Sequence, residues 1–197
     1  ALERQLLEVC KQYGMRMQGP NCLGIINTSY SLNLSFAAAM PSPGNISFIS
    51  QSGALGTAVL DWALKEELGL ASFISLGNKA DLDEIDFIEA TVKDLEVKAI
   101  ILYVESIEKG ETFLQVAKRG VKQKPIVVLK GGISTAGARA AGSHTGAMVG
   151  SYTAYEAAFK QSGVITAQSV EELFDYAVTF STQPIPRGNS AAIVTNA

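Results

Sequence analysis

The stretch AIILYV (99–104) is the most hydrophobic run of the chain and contains no charged residue. A short apolar run of this kind is typical of a strand that is buried on both faces of a parallel sheet. Further apolar runs occur at intervals before and after it, and each of them predicts a strand: ISFIS (46–50), ASFISL (71–76), PIVVLK (125–130) and GVIT (163–166). The sequence therefore predicts a five-stranded sheet.

Segments in which apolar residues recur at helical spacing alternate with these runs. Ile85, Ile88 and Val92 follow this spacing and predict a helix over about 82–95. The same criterion predicts four more helices. One begins near residue 54, and the others span about 110–121, 151–161 and 170–180. Alternating strands and helices with right-handed crossovers form a parallel sheet covered on both faces. The predicted fold is therefore α/β: a flavodoxin-like, doubly wound, parallel five-stranded sheet with helices on both faces, in the strand order 2-1-3-4-5.

The two ends of the chain do not follow this pattern, which suggests that partial neighbouring domains flank the sheet. Residues 1–42 begin with an amphipathic helix whose apolar face consists of Leu2, Leu6, Val9 and Tyr13. The segment MPSPGN (40–45) is typical of a domain boundary. At the other end, a linker leads to a predicted strand at 191–195. We therefore divide the chain into residues 1–42, 43–183 and 184–197.

Composition and charge exclude several classes of protein. The chain has 197 residues, a hydrophobic content of 47% and a net charge of −3. We therefore expect a globular protein without a basic surface for nucleic acid and without a membrane span. Cys10 and Cys22 provide neither a disulfide framework nor metal-ligand spacing, so we predict no metal site and a reducing, cytoplasmic setting.

The segment GGISTAGARAAGSHTGAMVG (131–150) contains the only histidine of the chain, His144. Six of its residues are Gly and five are Ala, so it has little with which to pack. We predict a long, mobile loop that follows a strand and presents one imidazole, since long loops of this kind are usually functional or disordered. The alternative is a flexible surface loop in which the histidine has no role.

Two further groups lie at the carboxyl end of the predicted sheet, where ligands of doubly wound folds bind. Ser50-Gln51-Ser52-Gly53-Ala54 leads from the first strand into a helix, whose free N–H groups and dipole can bind an anion. Glu105 follows the third strand and can orient an imidazole. An ordinary Ser N-cap and an exposed loop acid are the alternatives. Together with His144, these groups fit a transiently phosphorylated histidine.

Four motifs occur in order along the chain and carry a family resemblance: GPNCLG (19–24), SQSG (50–53), GNKAD (77–81) and GSHTGA (142–147). Together they resemble the ADP-forming acyl-CoA synthetases, which are relatives of the succinyl-CoA synthetase α subunit. The resemblance covers essentially the whole chain. It implies that residues 1–42 are the C-terminal end of a Rossmann-like CoA-binding domain, that 43–183 are the flavodoxin-like ligase domain, and that 184–197 begin a further ligase domain.

The resemblance also implies roles for individual residues. His144 corresponds to the family's phosphohistidine, and Glu105 corresponds to its partner glutamate. Ser50–Ala54 match the phosphate-binding helix start, whereas Asn21 and Cys22 match the segment near the CoA thiol and the acyl phosphate, where the cysteine is not a covalent nucleophile. The residues of the mobile loop beside the histidine are Gly142, Ser143, Thr145 and Gly146.

The implied reaction converts acyl-CoA, phosphate and ADP into a carboxylic acid, CoA and ATP, through an acyl phosphate and a phosphohistidine. CoA, ATP or ADP and Mg²⁺ would take part, with the nucleotide and Mg²⁺ bound by a nucleotide-grasp domain or subunit outside this chain. The chain has no P-loop, so we predict no ATP site on it. We also expect an oligomer, a missing CoA-binding domain as a partner, and no turnover by this chain alone.

Two other functions remain open. The chain could be the ligand-sensing, synthetase-like region of a protein lysine acetyltransferase, although such a region does not need both His144 and Glu105. It could also be a non-catalytic, flavodoxin-like binding module, in which His144 could be replaced without consequence.

Overall fold

The computed structural model describes residues 2–132, 152–186 and 188–196, and over these residues the chain is a mixed α/β structure. Its strands are β1 (Gly24–Asn27), β2 (Leu32–Ser35), β3 (Pro43–Ser50), β4 (Leu70–Ser75), β5 (Ala99–Val104), β6 (Ile126–Lys130) and β7 (Ile165–Ala167). Its helices are α1 (Leu2–Gln12), α2 (Gly53–Lys65), α3 (Glu84–Lys93), α4 (Gly110–Gly120), α5 (Tyr152–Ser162) and α6 (Val170–Thr182).

The described strands form one sheet in the order β2-β1-β4-β3-β5-β6-β7. Strands β3 to β7 pair in parallel, and their order is the 2-1-3-4-5 arrangement expected from the sequence. The flavodoxin-like, doubly wound fold is thereby confirmed.

Residues 24–35 add two strands that were not predicted, because they form an antiparallel hairpin beside the five parallel strands. Strand β1 pairs with β2 on one side and with β4 on the other, so the hairpin extends the sheet beyond β4. Within these two short strands Ile26 is the one buried residue. A four-residue strand with a single buried side chain has no periodicity that sequence analysis can detect.

Helices cover both faces of the sheet and create two apolar cores. On one face, Ile100 and Leu102 of β5 pack with the cluster that includes Phe113 of α4 and Phe159 of α5. On the other face, Ile101 belongs to the cluster formed with α2 and α6. Strands β4, β5 and β6 are almost entirely buried, as their predominantly apolar sequences indicate.

Capping interactions determine where the helices begin. Helix α3 begins two residues later than the predicted 82 because Asp83 is its N-cap. The Asp83 carboxylate accepts a hydrogen bond from the N–H of Ile85 at 2.9 Å, and the Asp86 carboxylate accepts one from the N–H of Asp83 at 3.1 Å. This is a capping box, which satisfies N–H groups that have no partner within the helix. It also fixes the loop that connects β4 to α3.

The segment after α1 is hydrogen-bonded to the loop that follows β4. The N–H groups of Asn78, Ala80 and Leu82 donate to the carbonyl oxygens of Pro20, Gly19 and Met17 at 2.8, 2.9 and 3.1 Å. Helix α1 itself has no buried residue, and its predicted apolar face is exposed: Leu2, Leu6, Val9 and Tyr13. The segment following α1 thus joins the carboxyl edge of the sheet.

The strand predicted at 191–195 is wrong, because these residues have no regular secondary structure. Ile193 and Val194 are more than nine-tenths exposed. Strand propensity depends strongly on the packing of the side chains, and these two side chains pack against little. No helix in the described part of the chain has the length and apolar character that spanning a bilayer requires.

Candidate functional site

A groove with a volume of about 580 Å³ lies at the carboxyl edge of the sheet. It brings together three parts of the chain that the sequence analysis selected: the turn at Asn21 and Cys22, the residues Gln51 to Ala54, and Glu105. The other lining residues are Leu23, Phe36, Thr57, Gly77 and Asn78. Residues far apart in the sequence therefore share one cavity.

The N-terminus of α2 opens into this groove. Ser52 is its N-cap, and the Ser52 hydroxyl accepts a hydrogen bond from the N–H of Leu55 at 3.2 Å. The buried hydroxyl of Ser50 stabilises the same turn, because it donates to the carbonyl oxygen of Ser52 at 2.8 Å and accepts from its N–H at 3.2 Å. The N–H groups of Gly53 and Ala54 have no acceptor among the described residues. They are the donors that an anion in the groove can use.

The side chain of Gln51 is fully occupied by protein partners. Its oxygen Oε1 accepts from the N–H groups of Glu105 and Ser106 at 2.7 and 3.0 Å. Its nitrogen Nε2 donates to the carbonyl oxygen of Ser106 at 2.8 Å and to Oε2 of Glu84 at 3.2 Å. An amide has two donors and one oxygen that accepts up to two bonds. Although the sequence suggested a phosphate-binding role for Gln51, this side chain has no donor left for an anion.

Glu105 lies directly after β5, half-buried in the wall of the groove. Its carboxylate has no hydrogen-bond partner among the described residues, so it is available to a group entering the groove. Two neighbours respond to its charge. Burial raises the pKa of Tyr103, and the charge of Glu105 adds to this effect. Burial lowers the pKa of Lys130, and the charge of Glu105 opposes that change.

Lys130 is a buried cation at the end of β6. Its ammonium group donates to the carbonyl oxygen of Gly131 and lies 4.8 Å from the centre of the Tyr155 ring. Cations are attracted to the faces of aromatic rings. Lys130 directly precedes the histidine-containing segment, and the contacts of its side chain hold it in place.

A second buried cation, Lys79, forms an ion pair with Glu84 beneath the β5–α4 loop. The Lys79 ammonium lies 3.2 Å from Oε2 of Glu84, and the side chains are only 7% and 2% exposed. Lys79 also donates to the carbonyl oxygen of Ser106 at 2.9 Å. Burial raises the pKa of Glu84, whereas the charge of Lys79 lowers it.

Asn21 and Cys22 line another part of the groove. Asn21 has a positive φ of 55°, and its side chain donates to Oδ1 of Asn78 at 3.3 Å. Gly77 contacts the turn at Pro20 and Asn21 so closely that a Cβ at this position would overlap the carbonyl oxygen of Pro20. Gly77 also has a positive φ of 59°. Both features require glycine at position 77.

The other predicted site residues are His144, Gly142, Ser143, Thr145 and Gly146, and they lie outside the described residues. Lys130 and Gly131, at the end of β6, are the residues through which the chain leaves the described sheet towards them. Strand β6 is adjacent to β5, the strand that Glu105 follows.

The structure also adds residues that the sequence analysis did not assign to the site. Gly77 and Asn78 belong to the motif GNKAD (77–81), so this motif is a usable signal for the groove. Phe36 and Thr57 line the groove without any signal in the sequence. Among the described residues there is no group of three His, Cys, Asp or Glu side chains that could hold a metal ion.

Comparison with protein families identifies the domain to which this groove belongs. A family model described as the succinyl-CoA ligase-like flavodoxin domain matches residues 43–180. The chain is 50% identical over 195 residues to the α subunit of acetate–CoA ligase [ADP-forming] II from Pyrococcus furiosus, and 50% identical over 195 residues to acetate–CoA ligase [ADP-forming] I from Archaeoglobus fulgidus. These matches cover 99% of this chain but only 42% and 28% of the two relatives.

Solved structures agree with this assignment. The dinucleotide-forming acetyl-coenzyme A synthetase 1 of Ca. Korarchaeum cryptofilum, in complex with phosphate and ADP, superposes with a TM-score of 0.90 at 45% identity. The superposition covers 95% of this chain and 41% of that chain. The protein PH0766 from Pyrococcus horikoshii OT3 superposes with a TM-score of 0.83, also at 45% identity, over 99% of this chain and 40% of its own. By its matched domain and its fold, the chain belongs to the family of succinyl-CoA ligase-like flavodoxin domains.

Proposed function

We propose that the chain is part of an ADP-forming acid–CoA ligase, which interconverts acyl-CoA, ADP and phosphate with a carboxylic acid, CoA and ATP. The observation that carries this proposal is the groove, in which the N-terminus of α2, the carboxylate of Glu105 and the Asn21–Cys22 turn meet. The names of the relatives support it, since they are ADP-forming acetate–CoA ligases. Because the chain spans less than half of each relative, the activity is that of the whole protein.

In the first step, an oxygen of phosphate attacks the thioester carbonyl, the C–S bond breaks, and CoA leaves as the thiol with a proton. The product is an acyl phosphate. We assign Asn21 and Cys22 to the vicinity of this reaction, because they line the same groove as the N-terminus of α2. Neither residue forms a covalent bond in this scheme.

In the second step, a ring nitrogen of His144 attacks the phosphorus atom, the bond between phosphorus and the acyl oxygen breaks, and the carboxylate leaves. Glu105 accepts a hydrogen bond from the other ring nitrogen, which orients the imidazole and stabilises its positive charge. The free N–H groups of Gly53 and Ala54 bind the oxygens of the phosphoryl group at the positive end of α2. Ser50, Gln51 and Ser52 contribute by building this turn and its surroundings.

In the third step, the terminal phosphate oxygen of ADP attacks the phosphohistidine, the P–N bond breaks, and ATP and neutral His144 result. We assign the nucleotide and Mg²⁺ to a nucleotide-grasp domain or subunit outside this chain. We also propose that residues 1–42 complete a CoA-binding domain, that 43–183 are the ligase domain, that 184–197 lead into a further ligase domain, and that the assembled enzyme is an oligomer. The free cysteines Cys10 and Cys22 fit a cytoplasmic setting.

The experiment that tests this function uses the full-length protein together with its nucleotide-binding domain or subunit. The protein is incubated with γ-labelled ATP and Mg²⁺, alongside the variants His144→Ala, Glu105→Gln and Glu108→Gln. We expect acid-labile, base-stable label on the wild type and no label on His144→Ala. Glu105→Gln should label slowly, whereas Glu108→Gln, an exposed residue of the same loop, should label like the wild type.

Label should be lost from the phosphoenzyme when ADP is added, and also when carboxylate and CoA are added together. Absence of label from a wild-type enzyme that binds ATP would contradict the ligase mechanism. That result would favour the ligand-sensing region of an acetyltransferase or a non-catalytic binding module.

A further inference from the structure

Three loops at the carboxyl edge of the sheet are joined by one closed set of partly buried hydrogen bonds. Gln51 follows β3, Lys79 lies between β4 and α3, and Ser106 follows β5. Two donors, Nε2 of Gln51 and Nζ of Lys79, each bind the same two acceptors, the carbonyl oxygen of Ser106 and Oε2 of Glu84. All four distances lie between 2.8 and 3.2 Å.

This set of bonds continues directly to the backbone of Glu105. Oε1 of Gln51 accepts from the N–H of Glu105 at 2.7 Å and from the N–H of Ser106 at 3.0 Å. Two successive N–H groups that point at one oxygen fix the direction in which the chain leaves β5. The position of the Glu105 side chain is therefore tied to Gln51, and through Gln51 to the Lys79–Glu84 pair.

A buried ion pair adds little net free energy of folding, because the desolvation of the two charges offsets much of their attraction. Breaking such a pair is costly, since it leaves a buried charge uncompensated. Charged hydrogen bonds do, however, impose strict geometry on the groups that they connect. The pair is thus better suited to holding the loops in one arrangement than to adding free energy of folding.

We propose that Gln51, Lys79 and Glu84 form a clamp that positions Glu105 for phosphoryl transfer to His144. These three are positioning residues: Gln51 and Lys79 bind the backbone of Glu105 or Ser106, and Glu84 accepts hydrogen bonds from both of them. None of the three binds the reacting atoms in this scheme. The inference rests on the proposed function, because it assigns Glu105 the task of orienting the histidine. It gives the glutamine of the SQSG motif a task other than binding phosphate.

The test measures the single-turnover rate of phosphohistidine formation in the full enzyme, with γ-labelled ATP and Mg²⁺, and combines two substitutions in a cycle. Gln51→Met removes all four side-chain hydrogen bonds, and Glu105→Gln removes the carboxylate. We expect Gln51→Met to slow the reaction by about 10- to 100-fold, the scale of a misplaced catalytic group. The nucleotide affinity should not change.

The double variant distinguishes positioning from a general structural effect. If Gln51 acts through Glu105, then Gln51→Met combined with Glu105→Gln should be no slower than Glu105→Gln alone. If the two effects multiply, the inference is overturned. A rate within twofold of the wild type for Gln51→Met also overturns it.

A second variant pair keeps the test valid if Gln51→Met does not fold. Glu84→Gln retains an oxygen that accepts from Gln51 and Lys79, whereas Glu84→Leu does not. We expect Glu84→Gln to restore most of the rate that Glu84→Leu loses, and equal loss in both variants contradicts the clamp. Glu89→Leu is the control, because Glu89 lies on the same helix in an exposed ion pair with Arg119. A wild-type enzyme that forms no His144-dependent label overturns the proposed function, and with it the clamp.

Discussion

Arg16 donates through Nε to both carboxylate oxygens of Asp81, at 3.1 and 2.9 Å, although 65 residues of chain separate the two. The same carboxylate accepts a hydrogen bond from the N–H of Met17 at 2.8 Å. The bonds from Arg16 and from Met17 hold the pKa of Asp81 below its usual range. This carboxylate therefore fastens the segment that follows α1 to the loop that follows β4.

The lowered pKa of Asp81 predicts how stability depends on pH. The carboxyl group of Asp81 binds its proton more weakly in the native state than in the unfolded state. The ionised group therefore stabilises the native state fully above the unfolded pKa of about 4, and this stabilisation is lost as the pH falls through the lower native pKa. We expect Asp81→Asn to unfold at a lower temperature than the wild type at pH 7. The difference should shrink as the pH falls below about 4. A difference that stays constant down to pH 2 would contradict this explanation.

A second prediction concerns the close contact between Gly77 and the Pro20–Asn21 turn. Gly77→Ala should destabilise the protein by more than about 1 kcal/mol, because alanine is strained at positive φ and its Cβ would overlap Pro20. Gly110→Ala is the matched control, since a Cβ there meets no atom within 4 Å. Gly110→Ala should instead raise the free energy of unfolding by about 0.4–1 kcal/mol. Chemical denaturation measures both, and similar effects of the two variants would refute the argument.

A third prediction separates the two consequences of the α2 N-cap. Ser52→Ala and Ser169→Ala each remove a hydroxyl that accepts a backbone N–H, from Leu55 and from Glu172 respectively. Each should lower the free energy of unfolding by about 1 kcal/mol. The turn of Ser52 lines the groove, so Ser52→Ala should also slow phosphohistidine formation by at least about threefold. Equal phosphorylation rates in the two variants would show that Ser52 has no role in phosphoryl transfer.

A fourth prediction compares two phenylalanines in very different surroundings. Phe48 is completely buried, and its ring centre lies 5.9 Å from that of Phe73 and 6.0 Å from that of Phe174. Phe48→Ala should destabilise by about 3–5 kcal/mol, whereas Phe36→Ala, at a side chain that is 88% exposed, should change stability by less than about 0.5 kcal/mol. Urea unfolding of both variants checks the contrast. A small effect at Phe48 would mean that the core collapses around the cavity.

The parallel part of the sheet could be predicted because its strands are predominantly apolar. AIILYV coincides with β5 residue for residue, since a central strand buried on both faces leaves a signal at every position. The hairpin at residues 24–35 could not be predicted, because its strands are short and depend on the edge of β4 for their place. AAIVT at 191–195 illustrates the opposite error, in which strand propensity alone did not produce a strand.

Within the site, the sequence predicted which residues lie at the groove more accurately than what their side chains bind. Topology alone predicted that Glu105 and the α2 N-terminus lie at the same edge, and the groove contains both. It could not reveal that the amide of Gln51 is used up by Glu84, Glu105 and Ser106, because the choice of hydrogen-bond partner depends on distances that no pattern encodes. For the same reason the motif at 77–81 gave no hint that Lys79 forms a buried ion pair.

The antiparallel hairpin has a consequence for how this domain can be moved between proteins. The family match begins at residue 43, yet one wall of the groove consists of Asn21, Cys22, Leu23 and Phe36. A recombinant fragment that starts at residue 43 would keep Glu105 but lose these lining residues. The edge of β4 would then be exposed and could pair with strands of other molecules. A functional graft is thus longer than the residues 43–180 that the family model matches: a transfer between enzymes has to include the residues from Arg16 onward.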